Sequence, residues 1–126
     1  MSFSDYLETK VLDHVFAGVA YTAPGTHYVA LFTAAPSDSG GGTEVSGGAY
    51  ARQTIAFTTS GDTTSNNAAV EFPTATASYG TVTHVGIFDA SSAGNLMAWA
   101  ALTSSKTIEI GDVFRIPSGD LDITLN

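Results

Sequence analysis

Three histidines (His14, His27, His84), the carboxylates Asp120 and Asp122, and the acidic pair Glu109 and Asp112 are the side chains best suited to chemistry in this 126-residue chain. Zinc sites ask for His and Cys sets at short, regular spacings, and these histidines are far apart in a chain with no cysteine. A histidine hydrogen-bonded at the rim of a core is the expected role for each. Asp120 and Asp122 would face the same way from a strand, but Leu121, Ile123 and Leu125 alternate with them, which makes the acids a solvated face. Calcium needs more oxygen ligands in one tight loop than the scattered loop acids Asp38, Glu44, Asp62 and Asp89 supply. Ser39-Gly40-Gly41-Gly42-Thr43 begins like a phosphate cradle but lacks the lysine and the helix that would complete it. The serines stand in no nucleophile elbow with a base. The expectation is a non-enzymatic protein with no catalytic residues, no cofactor and no metal ligands.

What remains is a surface for contact. Aromatic rings with a polar edge suit protein and carbohydrate partners alike, which brings forward Tyr50, Tyr79 and Trp99. Filling the core is the competing role, and it weighs more for Trp99 than for Tyr50. The glycine-rich loop 36–50 carries Gly40, Gly41, Gly42, Thr43, Glu44 and Val45 and is closed by Tyr50; loops of this length in a compact domain are functional or mobile. These nine residues are the candidate assembly or binding surface.

Composition narrows the partners. The formal net charge is -8, with Lys10, Lys106, Arg52 and Arg115 as the cations, so no basic face exists for phosphate backbones and nucleic acid is not an expected ligand. Charged residues make up 13% of the chain, against about 25% on average, so Thr, Ser, Asn and Gly must cover much of the surface. A surface of that kind loses little solvation when it is buried in an assembly. The first residues, MSFSDYLETK, lack the features of a signal peptide, and no apolar run is long enough for a membrane span. Synthesis in the cytoplasm, without a membrane role, is expected.

The elements that must position these residues are mostly strands. An amphipathic helix is expected over 2–18, capped by Ser2 with Asp5, carrying Phe3, Leu7, Val11, Leu12, Val15 and Phe16 and stopping at Gly18. It either covers an open end of the domain's own core or docks on a neighbouring subunit. From His27 the period becomes two: His27 to Thr33 is apolar on both faces and should be central. Gln53 to Thr58 follows, then a polar loop over Thr59 to Asn67 and an edge strand at Val70 and Phe72 ended by Pro73. Thr81 to Phe88 and Leu96 to Leu102 form a hairpin, in which Leu96, Ala98, Ala100 and Leu102 share one face and Met97 and Trp99 the other. Thr107 to Ile110, Val113 to Ile116 and Leu121 to Leu125 complete the set. Seven or eight short strands predict a mainly β, single-domain antiparallel β-sandwich or jelly-roll-like barrel over 1–126, with one N-terminal amphipathic helix.

SFSDYLETKVLDHVF, YTAPGTHYVALFT, GGGTEVSGGAYARQ, VEFPTAT, GTVTHVGIFDA and GNLMAWAAL together resemble a family of small virion structural proteins of tailed bacteriophages and prophages, usually described as phage tail fibre-like proteins. The similarity runs over nearly the whole chain. It implies a structural component of the virion, made in the cytoplasm of the bacterial host, with other phage virion proteins as partners. A capsid decoration (cement) protein on the phage head is one alternative, and a receptor or glycan-binding module is another. Symmetric closure favours a homo-oligomer, with a trimer first.

Overall fold

A computed structural model describes residues 1–125. The order of elements is β1 (Ser2–Phe3), α1 (Asp5–Phe16), β2 (His27–Ala34), β3 (Thr43–Glu44), β4 (Gln53–Ile55), β5 (Phe57–Ser60), β6 (Thr63–Asn66), β7 (Val70–Glu71), β8 (Gly80–Phe88), β9 (Leu96–Ile108), β10 (Arg115–Ile116) and β11 (Asp122–Thr124). The main sheet runs β1-β9-β8-β2-β3, with β4 also on β2; a three-stranded sheet β11-β6-β5 and the pair β10-β7 lie apart from it. All pairings are antiparallel. Between these layers Val29, Leu31, Val85, Ile87 and Met97 meet Val70, Phe72, Phe114, Ile116 and Leu121 in one apolar core. The result is sandwich-like and mainly β, with no closed barrel among the described residues. The expected single domain extends to Asn126, which lies outside them.

β2 is central, as its doubly apolar pattern predicts. Val29, Ala30, Leu31 and Phe32 are all buried, with β8 on one side and β3 and β4 on the other. Burying each large side chain of this kind stabilises the fold by about 1.5–3 kcal/mol.

Four expectations about the elements need correcting. The helix is shorter than 2–18 because Ser4, not Ser2, caps it: Ser4 is extended (φ −72°, ψ 159°) and its hydroxyl accepts from the Leu7 N–H at 3.1 Å. Ser2 and Phe3 instead pair with Trp99 and Ala98 as β1. The polar stretch Thr59 to Asn67 is no open loop, since β5 and β6 form a hairpin there whose two faces are partly exposed, which removes the apolar alternation that would reveal a strand. Asn66 is buried in it, holding the Ala68 and Pro117 carbonyls and the Leu121 N–H with its amide. Thr107 and Ile108 are the end of β9 and not a separate strand, since β9 pairs with β8 from Phe88 down to Gly80.

The fourth correction concerns sides. Ile87 pairs with Ala98 and Phe88 with Leu96, so Met97 is an extra residue, a bulge, and the alternation changes phase there. Met97 and Ala98 therefore both join the core side, whereas Leu96 and Trp99 share the outer face with Gly86 and His84. Sequence alternation alone places Met97 with Trp99, and the bulge separates them.

Candidate functional site

The segment from Pro36 to Tyr50 is laid flat against the main sheet. Ser37 and Gly40 exchange backbone hydrogen bonds at 2.8 and 2.9 Å, β3 pairs with β2, and the Val45 N–H donates to the Leu31 carbonyl at 2.9 Å. At Gly48 (φ +60°) a Cβ would lie 2.7 Å from the Ala77 carbonyl oxygen, so only glycine lets the two backbones come this close. Gly42, whose Cβ would lie 2.7 Å from the Pro36 nitrogen, serves close packing in the same way, whereas Gly40, Gly41 and Gly47 have open space around them.

Beneath the segment lies a charged knot. Glu44 receives two bonds from the Arg52 guanidinium, both 2.9 Å, and one from the Tyr50 hydroxyl at 2.6 Å. Arg52 donates further to the Ala90 and Ala93 carbonyls, and its guanidinium stands 3.7 Å from the centroid of Phe88. The Arg52 side chain is only 8% exposed, and a fork of donors fixed this way is what a buried arginine needs. Burial works against the Glu44 carboxylate, but the bonds from Arg52 and Tyr50 outweigh it and hold its pKa below the ordinary value. Burial, with the bond to Glu44, pushes the Tyr50 phenol strongly upward. Its oxygen also accepts from the Leu31 N–H at 3.0 Å, while its ring stacks on Phe72 and meets Tyr79 edge-on.

The structure thus brings Glu44, Val45, Tyr50 and Tyr79 together, but on the inside. Val45 and Tyr79 are core residues at 5% and 4% exposure, and the Tyr79 hydroxyl donates to the Pro73 carbonyl at 2.9 Å. Gly40, Gly41 and Gly42 line a groove of about 560 Å³ with Tyr6, Asn95 and the outer edge of Glu44, and Thr43 is exposed. Trp99 stands apart, half-buried, its Nε1–H donating to Asp38 at 2.8 Å. Asp38 also accepts from the Ser2 hydroxyl at 2.9 Å, and its carbonyl takes the Asp5 N–H, so it ties the base of α1 to the sheet.

The histidines do not gather. His14 contacts the Val19 carbonyl, His27 sits edge-on to Phe57, and His84 contacts Thr83 and Trp99. Among the described residues, no three His, Asp or Glu side chains are grouped to hold a metal ion.

The surface that sequence reasoning undervalued is the far end of α1. Every residue of the helix keeps some exposure; Tyr6 and Leu7 pack at its base, while Leu12, Val15 and Phe16 are 57%, 62% and 81% exposed. Leucine, valine and phenylalanine at spacings of three and four read equally well as a stripe for this domain's core or for a neighbour. Only the coordinates show which half is left uncovered.

A scan against family models matches residues 2–124 to the podophage GP4 fiber I protein gp80 family. The chain belongs to this family. It is accordingly a phage fibre protein by descent, in agreement with the resemblance read from its motifs. The comparison with curated proteins gave no match.

Proposed function

We propose that this fibre-family chain is a non-enzymatic, tail-associated structural subunit of the phage virion, acting through protein–protein assembly with other virion proteins and with copies of itself, a closed trimer being favoured. The observation that carries the reading is the contrast between described residues whose buried side-chain polar atoms are all hydrogen-bonded and a helix end that leaves three large apolar side chains in water. Family membership supports a place in the virion, and it is the fibre description that favours the tail over a capsid decoration role. A low-charge β domain with few cations and an apolar docking helix suits permanent contact better than turnover.

Electron microscopy of particles carrying a site-specific label on this chain tests the location. Label on the tail is expected. Label spread over the head would reject this reading in favour of capsid decoration, and intact particles that lack the chain yet fail only in adsorption would point to a receptor-binding module.

A further inference from the structure

The uncovered end of α1 has a counterpart on the same molecule. Between the base of the helix, the segment after it and the three-stranded sheet lies a cleft of about 280 Å³. Ile87 and Met97 form its floor, and Leu7, Tyr21, Phe57 and Ile123 form its walls. Every side chain lining it is uncharged, which favours an apolar occupant over a polar ligand. A dry apolar cavity of about 150 Å³ is enough to hold benzene, so a phenyl ring with part of its backbone fits here.

Phe16 is the most exposed large apolar side chain of the described residues, but it cannot fill its own molecule's cleft. Leu7 lines that cleft, and nine residues at about 1.5 Å of rise each carry Phe16 some 14 Å further along the same helix. The side chains that would meet are uncharged: residues 15–37 contain no Asp, Glu, Lys or Arg, and the acids near the two surfaces are Asp13, one turn before Phe16, and Asp89, which acts on Tyr21 and His27 at the cleft.

We infer that the α1 end of one copy docks in the apolar cleft of the next copy, with Phe16 as the anchor, so that the subunit self-associates head to tail. The inference rests on the self-association proposed above and deepens it by naming the two surfaces. Unlike surfaces that meet in this way close as a ring when the rotation between copies closes and otherwise run on as a filament; the trimer favoured there is the closed case. An aromatic side chain seated in a pocket at the centre of a contact is the usual form of a binding hot spot.

Two variants at exposed positions test it by analytical ultracentrifugation. Phe16→Asp removes the knob and leaves the cleft; Ala23→Trp fills the cleft from its exposed rim and leaves the knob. Wild type should be an oligomer and each variant alone a folded monomer, melting where wild type melts once diluted to its monomer. An equimolar mixture of the two should form a 1:1 heterodimer, because one intact knob then faces one intact cleft. If Ala23→Trp melts early, Thr64→Phe blocks the same cleft from its other wall. Variants that remain oligomeric, or a mixture that stays monomeric beside an oligomeric wild type, overturn the knob-and-cleft contact while leaving self-association standing. A monomeric wild type overturns both, including the case in which α1 is covered only after a different virion chain is added.

Discussion

The glycine-rich segment from Pro36 to Tyr50 and the helix α1 both border the main sheet and both carry apolar side chains. The first turns Val45 and Tyr50 inward and fastens itself through Glu44 and Arg52. The second fastens only its base, through Ser4 and Asp38, and leaves Leu12, Val15 and Phe16 outside. High glycine content, often taken as a sign of mobility, here allows two backbones to touch; a regular amphipathic helix, often taken as a sign of a complete core, here holds the unfinished surface. The one is fastened into the fold; the other leaves apolar surface uncovered, which is where the proposed contact lies.

That contrast is open to direct attack. Arg52→Ala should have the largest effect, on the order of 3 kcal/mol of lost stability in a urea melt, since it strands the Glu44 carboxylate and frees the Ala90 and Ala93 carbonyls. A loss below about 1 kcal/mol would mean that the knot is ornamental. Gly48→Val should cost about 2–3 kcal/mol, because a side chain is strained at positive φ and meets the Ala77 carbonyl. The same change at Gly41, also at positive φ but with open space around it, should cost less than half as much. Tyr50→Phe should remove about 1–2 kcal/mol by leaving the Leu31 N–H without its acceptor.

Acid should act on the same region. The folded pKa of Glu44 lies below its ordinary value of 4.5, so its contribution is complete above that pH and is lost as the pH falls through the lower folded value. The melting-temperature gap between wild type and Glu44→Gln should therefore shrink as the pH is lowered from 6 toward 3, and a constant gap would show that the carboxylate charge is not what holds the knot. At the bottom of the scale stands Phe16→Ser, expected to change stability by less than about 0.5 kcal/mol because the side chain is 81% exposed. A marked loss of melting temperature in the isolated subunit would erase the distinction between the two regions.

The fold class, the central β2 and the hairpin β8–β9 were legible in the sequence because apolar alternation there reports burial directly. The β5–β6 hairpin was not, since Thr58, Thr59 and Thr64 fill strand positions without an apolar face to betray the period. Nor was the bulge at Met97, because one extra residue has no compositional mark yet exchanges the sides of the residues from Ala98 to Ala101 relative to Leu96. Within the candidate surface, Gly40 to Thr43 lie near the surface as a loop reading suggests. The inward turn of Tyr50 depends on Glu44, Arg52 and Leu31, partners brought together only by the sheet. Arg52 itself offered a hint: a single cation beside a glycine-rich stretch of an acidic chain needs a carboxylate.

The cleft beneath α1 takes Phe3 and Leu7 from one end of the described chain, Met97 from β9 and Ile123 from the other end. During synthesis the helix emerges well before Ile123, so its landing place is assembled only after about a hundred further residues have followed. A nascent chain therefore carries the knob before it can present a hole. Long-range closure of this kind folds slowly. If copies join as proposed, the delay has a benefit: two unfinished chains, each with a Phe16 and nowhere to put it, cannot link with one another.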